Sequence, residues 1–544
     1  MVDRHGGDLL IELMCEYDVR VAFGVASVHN LPLVEALDRE GMFVAVRHEA
    51  AAVNAADAYS RVSGGLGVAI TSTGTGAGNA AGSMVEAQAA GSRVLHITGQ
   101  IESAYLNQDR GMLHDTPRQT DLLRAVSKSA KTVLSAEGAR RVLWAAAAEA
   151  LAAPQGPVSV EWPYDLQYAA QTAETPMHRA LAQPPVASDA ALDEAAELVL
   201  AARRPVLWIG GGGRGARAEL LELAELLGLP VLTSNAGRGS IREDHEQVIG
   251  NYATYPDARE LLAAADLLIG VGTHYRASET ANFALAMPGK HVQIDVDPLA
   301  LGRNYPATVG LAGDAAVTVE GLLKRLRGWE TAREPDWTAR GTSTRHAVRK
   351  DQRSAIGQYA QLCDSLRLHL PEDSVIARDV TVPSSTWGNR LLEIYDPATN
   401  VYPLGGGIGQ GLAMGIGAAA AQRDQPTAVI AGDGGVSVHI GEIATLAEQS
   451  PWLILIVFND GGYGVLRSMQ DVHGKRRAGV DLLAFDFARL AASVGLEHRL
   501  VRAADDFDDA LSEALSARRP FVVEVDMTAL APMPKPFVPP LPVF

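Results

Sequence analysis

Two aspartates beside clustered glycines have the residue types and spacing of a site for a cation and a phosphate. Asp433 follows the apolar run PTAVIAG, and Asp460 follows the apolar run WLILIVFN one strand-to-strand crossover later. Neighbouring parallel strands end at the same edge of a sheet, so both carboxylates can reach one hard cation such as Mg²⁺. Glycines let the backbone approach phosphates, and a helix that starts beside them favours anions. The loops that would form this site contain Gly432, Gly434, Gly435, Gly462, Tyr463 and Gly464.

Two other segments are candidates for chemistry, but each has a simpler explanation when it is considered alone. Glu49 lies between the apolar run MFVAV and an Ala-rich helical segment, where an acidic residue favours the helix N-terminus and is usually solvated. Gly405–Gly411 is a glycine-rich turn that contains one apolar side chain, Ile408. Neither pattern identifies a function by itself.

Taken together, these segments resemble the thiamine-diphosphate superfamily of acetohydroxyacid synthase and pyruvate decarboxylase. Residues 432–434 and 459–460 resemble its Gly-Asp-Gly and Asn-Asn motif, and HEAAAVNAADAYSR resembles the segment that carries its activating glutamate. The resemblance implies that Mg²⁺ is bound by Asp433, Asp460 and the backbone carbonyl of Gly462. Asp460 departs from the pattern, because a carboxylate replaces the second Asn. We expect metal binding to survive, while the added negative charge near the diphosphate leaves the metal preference open.

The resemblance also implies how the cofactor is activated. Glu49 would share a proton with the aminopyrimidine ring, so that the cofactor's own imino nitrogen can remove the thiazolium proton and leave a carbanion. Ile408 would support the bent cofactor, and the carbonyl of Gly406 would hold its exocyclic amine. The implied reaction is Mg²⁺- and thiamine-diphosphate-dependent decarboxylation of a 2-oxoacid, or joining or cleavage of an acyloin with aldehyde substrates. Because the superfamily builds each site between two subunits, we expect a homodimer as the minimum and a homotetramer as the common assembly.

Three further residues are candidates for substrate chemistry. His29 lies where benzaldehyde lyase has a loop histidine, which favours a proton relay over the structural role usual for an isolated loop histidine. His114 lies where pyruvate decarboxylase has paired histidines, and it can donate to a substrate carboxylate or a developing alkoxide. Ser72 replaces the catalytic histidine of benzoylformate decarboxylase, which argues against identity with that enzyme. His114 together with the Val-His loop also resembles the 2-ketoarginine decarboxylase branch, and simple decarboxylation of that type is the narrower alternative.

Apolar strand-like runs that alternate with helical segments must position these residues. The runs are VRVAFGV, MFVAV, LGVAIT, SRVLHITG and GPVSVEW in a first block, PVLWIG, LPVLTS, DLLIGVG and KHVQIDVDP in a second, and SVIARDV, PTAVIAGDG, WLILIVFND and PFVVEVDM in a third. The alternation predicts an α/β fold of three consecutive doubly wound parallel-sheet domains. In the superfamily's terms they are a pyrimidine-binding domain at 1–170, a central Rossmann-like domain at 189–326 and a diphosphate- and Mg-binding domain at 353–530, followed by an extended Pro-rich tail at 531–544. A polar linker at 168–188 and an apolar-poor segment at 327–353 separate the blocks.

The central block contains Gly210–Gly215, a glycine-rich turn after a strand that is also compatible with a dinucleotide fingerprint. The superfamily's central domain holds FAD, ADP or no nucleotide. Because a glycine-rich turn is a weak signal, we expect that the central domain of this chain binds no nucleotide. An NAD-dependent dehydrogenase built on this turn leaves the motifs of the outer blocks unexplained. A catalytically inactive binding or regulatory homologue is the alternative from another class, and retention of Glu49, Ile408, Asp433 and Asp460 argues against it.

Composition excludes several other classes. The chain has 544 residues, of which 47% are apolar and 20% charged, as is typical of a globular protein. Its formal charge of −17 offers no field for nucleic acid or an anionic membrane. The uncharged run at 401–421 is too rich in glycine for a membrane span, and the N-terminus lacks a signal-peptide pattern. With Cys15 and Cys363 expected as buried thiols, we predict a cytoplasmic protein.

Overall fold

The computed structural model describes residues 4–171 and 184–537. These residues form three six-stranded sheets whose paired strands run parallel. The linker predicted at 168–188 and the tail predicted at 531–544 lie partly outside the described residues.

Each sheet has its own set of helices. The first has strands β1 (Ala22–Gly24), β2 (Phe43–Ala45), β3 (Gly67–Thr71), β4 (Val94–Gln100), β5 (Ser129–Thr132) and β6 (Val158–Pro163), with helices α1 (Gly6–Glu16), α2 (Leu31–Arg39), α3 (Glu49–Ser63), α4 (Thr75–Ala90), α5 (Gln119–Val126), α6 (Ala136–Leu151) and α7 (Tyr164–Tyr168). The second has strands β7 (Pro205–Ile209), β8 (Val231–Thr233), β9 (Val248–Gly250), β10 (Leu267–Val271), β11 (Lys290–Asp295) and β12 (Val309–Ala312), with helices α8 (Asp189–Ala201), α9 (Arg217–Leu227), α10 (Pro256–Ala264), α11 (Ala315–Leu326) and α12 (Trp337–Ile356). The third has strands β13 (Val375–Arg378), β14 (Asn400–Val401), β15 (Thr427–Gly432), β16 (Leu453–Asn459), β17 (Glu497–Val501) and β18 (Phe521–Asp526), with helices α13 (Tyr359–His369), α14 (Gly411–Ala421), α15 (Asp433–Val438), α16 (Glu442–Gln449), α17 (Gly464–Val472), α18 (Phe487–Ser493) and α19 (Phe507–Ala517).

Continuous apolar runs explain why the central strands lie inside the sheets. β15 and β16, with sequences TAVIAG and LILIVFN, are buried along almost their whole length, as strands covered on both faces are. The first and third sheets share one strand order, β2-β1-β3-β4-β6-β5 and β14-β13-β15-β16-β18-β17, while the central order is β12-β11-β10-β7-β8-β9. The predicted α/β class with three parallel-sheet units is confirmed, and the residue boundaries of the domains stay predictions.

Each sheet also contains a point where the strand order reverses, and doubly wound folds bind ligands at the carboxyl edge there. In the first sheet this point lies between β1 and β3, whose following loops carry His29 and Ser72. In the third sheet it lies between β13 and β15, which are followed directly by Asp379 and Asp433. The topology alone therefore brings polar residues that are distant in sequence, among them the predicted His29, Ser72 and Asp433, to these two sheet edges.

Small side chains let α3 and α14 pack closely and join the first domain to the third. α14 has the sequence GLAMGIGAAAA, and its Gly417 lies against the carbonyl of Ala55 on α3, where a Cβ would clash. The apolar run at 401–421 thus serves packing between domains, in agreement with our rejection of a membrane span. Among residues 4–171 and 184–537, no helix is long and apolar enough to cross a bilayer.

The structure adds a helix between the second and third blocks and corrects the expectation that both cysteines are buried. The apolar-poor segment between the second and third blocks contains the 20-residue helix α12, whose buried Trp337 donates to the carbonyl of Pro205 at 2.7 Å and packs in the central core with Val348. A few widely spaced apolar residues are enough to anchor this helix. Cys15 is exposed, whereas Cys363 is buried, and burial raises the pKa of the Cys363 thiol to about 12.

Candidate active site

Asp433 and Asp460 lie side by side at the carboxyl edge of the third sheet. Asp433 is the first residue of α15, and Asp460 directly follows β16, which pairs with β15 up to Gly432. The main-chain N–H of Asp460 donates to Oδ1 of Asp433 at 3.2 Å. Burial raises the pKa of both carboxyl groups, and for Asp460, where repulsion from Asp433 adds to burial, the pKa rises to about 6. Two carboxylates held so close in a buried place favour a bound cation.

The same loops fit Mg²⁺ bound to a diphosphate. Oδ1 of Asp460 is buried and accepts no hydrogen bond, although the guanidinium of Arg467 lies 3.5 Å away, so this oxygen can still take a cation as a ligand. A Cβ on Gly434 would lie 2.5 Å from the carbonyl oxygen of Gly462, so only glycine lets these two loops approach. Gly462 also has a φ of 146°, a region that favours glycine. In the described ranges, no group of three or more His, Cys, Asp or Glu side chains could hold a metal ion.

Asp379, which was not predicted, joins the glycine-rich turn to the two loops that carry Asp433 and Asp460, called the cation loops below. Its Oδ1 accepts the main-chain N–H of Gly409 at 3.0 Å, and its Oδ2 accepts that of Gly411 at 3.1 Å. On its other side, a Cβ on Gly435 would lie 3.0 Å from Oδ2. Burial raises the pKa of Asp379 to about 6. One buried carboxyl group therefore fixes the turn that carries Ile408 next to the first residues of α15.

The glycine-rich turn is also held from the first domain. Oε1 and Oε2 of Glu86 accept the main-chain N–H of Gly405 at 2.9 and 2.8 Å, and Arg61 donates to the carbonyl of Tyr402 at 2.7 Å. Arg61 pairs with Asp57 one helical turn earlier. Because Arg61 lies on α3, the helix that begins with Glu49 also fixes the entry to the turn that contains Gly406 and Ile408.

Glu49 and Ser72 meet around a single glycine. A Cβ on Gly76, in the first turn of α4, would lie 3.1 Å from Oε1 of Glu49 and 2.8 Å from Cβ of Ser72. Oε2 of Glu49 accepts a hydrogen bond from the amide of Asn79 at 3.0 Å. The hydroxyl oxygen of Ser72 is buried and has no hydrogen-bond partner. Both side chains are thus in place to contact a ligand at the N-terminus of α4.

His29 and His114 form an aromatic pair beside the same loop. Their ring centroids are 5.4 Å apart, and Tyr164 contacts the other side of His29 with centroids 5.8 Å apart. His29 is 5% exposed and its Nδ1 has no partner. Burial, and then the charge of His114, lower the pKa of His29. The carbonyl of His114 packs against Gly74, so the pair lies close to the strand end that carries Ser72.

The predicted residues therefore form two groups within one chain. The first-domain group contains His29, Glu49, Ser72 and His114, and the third-domain group contains Gly406, Ile408, Gly432, Asp433, Gly434, Gly435, Asp460, Gly462, Tyr463 and Gly464. Among the residues that the structure describes, no hydrogen bond or ion pair joins Glu49 to Asp433, Asp460 or Ile408. The two domains are nevertheless linked close to these groups, by the hydrogen bonds of Glu86 and Arg61 to the glycine-rich turn and by a ring contact between His48 and His439 with centroids 5.0 Å apart.

Residues missed from the sequence include Asn79, Glu86 and Asp379. They also include Glu442, whose carboxylate accepts the main-chain N–H of His48, and Arg467, whose guanidinium lies 3.5 Å from a carboxylate oxygen of Asp460. Asp379 carries a usable signal, because it is a polar residue directly after a buried strand, as Asp433 is. The others lie inside helices, where only their packing distinguishes them.

The glycine-rich turn of the central domain is explained by close packing of the chain. A Cβ on Gly210 would lie 2.5 Å from Cα of Thr273, and the N–H of Gly212 donates to the carbonyl of Gly272 at 3.0 Å. These contacts need glycine with or without a nucleotide, so the predicted absence of FAD or ADP is not decided by the turn.

Comparisons with known proteins match all three domains. Residues 4–122 match the family model described as thiamine pyrophosphate enzyme, N-terminal TPP binding domain. Residues 192–322 match the model for the central domain of the same enzymes, and residues 382–525 match the C-terminal TPP binding domain.

Individual proteins are similar along nearly the whole chain. A probable 2-ketoarginine decarboxylase of Pseudomonas aeruginosa is 33% identical over 512 residues, which cover 92% of this chain and 90% of that protein. A probable acetolactate synthase large subunit of Methanococcus aeolicus is 26% identical, covering 96% of this chain and 91% of that protein. The large subunit of acetolactate synthase isozyme 3 of Escherichia coli is also 26% identical, covering 96% and 94%.

Proposed function

This chain belongs to the thiamine pyrophosphate enzymes of the acetolactate-synthase-like superfamily, and on that premise we propose that it decarboxylates a 2-oxoacid with thiamine diphosphate and Mg²⁺. The observation that carries the proposal is the gathering of His29, His114 and Ser72 beside Glu49 at one sheet edge. Family membership makes the chain a thiamine-diphosphate-dependent enzyme, which replaces the dehydrogenase and the inactive-homologue hypotheses.

Residues of both groups would hold the cofactor and its metal. Asp433, Asp460 and the carbonyl of Gly462 would bind Mg²⁺, while the turn with Gly406 and Ile408 would hold the rings. When bound, thiamine diphosphate supplies a nucleophilic carbon and an electron sink for chemistry at a carbonyl. Glu49 would exchange a proton with the cofactor's pyrimidine ring, a role supported by its place at the start of α3.

The remaining residues would manage protons on the substrate side. His29 is buried and its pKa is lowered, so its ring is neutral near pH 7 and can accept or donate a proton. His114 would donate to the substrate carboxylate or to the oxygen that develops negative charge. The buried hydroxyl of Ser72, which lacks a partner within the chain, would hydrogen-bond the substrate.

We propose a homodimer as the minimum assembly, with a homotetramer as its further association. The proposal is supported by the lack of a hydrogen bond or ion pair between Glu49 and the third-domain group among the described residues, and by exposed apolar side chains in or next to that group. Ile408, Val438 and Leu466 are 40%, 43% and 48% exposed, and α17 contains no buried residue. A second subunit would cover this surface and complete the site. A cytoplasmic location stays a prediction.

Carboligation is the second candidate activity, because relatives named acetolactate synthases cover nearly the whole chain. Simple decarboxylation of a 2-ketoarginine-like acid is the narrower form of the first candidate, supported by the relative that carries that name. The two candidates differ in whether the acyl unit is protonated and released or added to a second carbonyl compound.

A panel of 2-oxoacids with neutral, acidic and cationic side chains tests the proposal. Purified protein with thiamine diphosphate and Mg²⁺ is incubated with each acid, carbon dioxide is measured, and mass spectrometry identifies the other product. We expect one acid to release carbon dioxide and give an aldehyde. An acyloin as the main product would favour carboligation, and no turnover of any acid, alone or with added aldehydes, would contradict both activities.

A further inference from the structure

The cation loops carry one carboxylate more than the Asn-containing pattern that they resemble. Asp433 is buried, Asp460 is mostly buried, and Oδ1 of Asp433 is occupied by the N–H of Asp460. Like charges this close repel one another, and a second carboxylate also repels an incoming diphosphate. Some other group must offset this charge if the loops are to bind a metal diphosphate as an Asn-containing site does.

Arg467, in the first turn of α17, is placed to supply the compensating positive charge. Its Nη1 lies 3.5 Å from Oδ1 of Asp460 and donates to the main-chain carbonyl of Asp460 at 2.9 Å. Its Nη2 donates to the carbonyl of Gly461 at 3.0 Å. The side chain is only 15% exposed, so solvent screens the pair little. Its second acidic partner, Asp481 at 2.8 Å, is 59% exposed and therefore better screened.

We propose that Arg467 is a positioning residue that sets the charge of the cation loops and so lets them bind a metal diphosphate despite Asp460. Two carboxylates and one guanidinium leave one net negative charge, the same as a site with Asp433 and an asparagine. The inference rests on the proposed function, because the loops must bind Mg²⁺ and a diphosphate for their charge to matter.

A purely structural role for Arg467 makes a different prediction. Its donors also hold the carbonyls of Asp460 and Gly461, next to Gly462, so its removal could simply loosen the loop. Loosening would persist when Asp460 is changed to asparagine. A charge effect would disappear, because the variant pair restores one net negative charge.

The experiment is a double-mutant cycle read by calorimetry, with no turnover required. Thiamine diphosphate is titrated at saturating Mg²⁺ and pH 8 into the full-length wild type, Arg467→Gln, Asp460→Asn and the double variant. We expect Arg467→Gln to weaken binding by about ten- to a hundredfold, as one uncompensated charge at this range should, and the double variant to return to within about threefold of the wild type. Arg477→Gln is the matched control, since Arg477 is 48% exposed and pairs with Asp471 outside these loops.

Two results would overturn the proposal. Binding by Arg467→Gln that equals the wild type would remove the residue from the site, and an equally weak double variant would leave only the structural role. Circular dichroism shows whether Arg467→Gln folds. If it does not, Arg467→Lys replaces it, because lysine keeps the positive charge but lacks the planar guanidinium with its several donors. The affinity of Arg467→Lys for thiamine diphosphate should stay within about tenfold of the wild type. Weaker binding than that contradicts the charge role. Absence of binding to the wild type would instead contradict the proposed function, so the two failures are distinguishable.

Discussion

The carboxylate of Glu442, at the start of α16 in the third domain, accepts a hydrogen bond from the main-chain N–H of His48 at 3.1 Å. The same oxygen accepts the N–H of Arg47 at 2.9 Å, and the other oxygen accepts the hydroxyl of Thr445 at 2.7 Å. Glu442 is 1% exposed, and burial raises the pKa of its carboxyl group. His48 directly precedes Glu49. A buried side chain of the third domain therefore fixes the start of α3 in the first domain, and with it the position of the proposed activating glutamate.

This contact predicts that Glu442→Ala lowers kcat by more than about tenfold, as loss of groups that orient site residues commonly does. Two main-chain donors would lose their acceptor, and the start of α3 would shift with Glu49. KM should change less than kcat, and Glu442→Gln, which keeps one acceptor oxygen, should recover much of the loss. Steady-state kinetics measure both. Glu448→Ala is the control, because Glu448 lies on the same helix and forms an ion pair with the side chain of Arg47, not with the main chain that precedes Glu49. Wild-type kcat in Glu442→Ala would contradict this role.

Glu49→Gln should lower turnover by at least about a hundredfold, since it removes a group placed for proton transfer. An amide cannot exchange a proton with the pyrimidine ring, although it still accepts from Asn79. Initial rates at saturating substrate measure the effect, with the exposed Glu35→Gln as the matched control. A variant that keeps the full rate would show that Glu49 has no such role.

Asp433→Ala should weaken cofactor binding by more than about a hundredfold, because it removes a proposed metal ligand and loss of mere supporting groups already costs 10- to 100-fold. Calorimetry with thiamine diphosphate and Mg²⁺ gives the affinity directly. Asp424→Ala removes an exposed carboxylate in the same domain and should bind as the wild type does. Equal affinity of both variants would exclude Asp433 as a ligand.

His29→Ala and His114→Ala should each lower kcat by about a hundredfold, the lower range for a lost proton-transfer group. Their affinity for thiamine diphosphate should stay within about threefold of the wild type, because the role proposed for both side chains is on the substrate and not on the cofactor. Kinetics and calorimetry on the same preparations separate the two effects, and the exposed His473→Ala serves as control. Unchanged kinetics in both would remove the pair from the mechanism.

His96 should make the first domain less stable in acid. It is fully buried on β4, contacts the hydroxyls of Thr71 and Ser159, and burial lowers its pKa to about 4. The unfolded chain, with a histidine pKa near 6.5, takes up the proton first as the pH falls, so folding loses about 2 kcal/mol between pH 7 and pH 5.

Thermal unfolding at pH 7 and pH 5 tests this acid sensitivity. Between pH 7 and pH 5, the midpoint temperature of unfolding should fall further in the wild type than in His96→Gln. The comparison holds even if the substitution lowers the midpoint temperature at pH 7. His346→Gln, at an exposed position, should keep the wild-type pH dependence. An equal fall in His96→Gln would show that another group causes the loss.

The strands that were predicted from the sequence and those that were missed differ in their place in the sheets. All interior strands were predicted, because each contains several apolar residues and is buried along most of its length. The strands that were missed, β5, β9, β12, β14 and β17, all lie at sheet edges. β17 has the sequence EHRLV with alternate residues exposed, and β5 has the sequence SAKT with every residue partly exposed. A strand with one neighbour and partial burial needs no apolar run, so its signal is weak.

The sequence by itself determined the family, the three α/β units and the candidates at strand ends, because glycines and carboxylates of one loop are contiguous in the chain. Only the tertiary structure decided which side chains support them. Glu442 meets His48, Asp379 meets Gly409, and Arg467 folds back on Asp460. Such pairs depend on how helices pack and where loops turn, and a polar residue in an amphipathic helix carries no local mark of the partner that packing will give it.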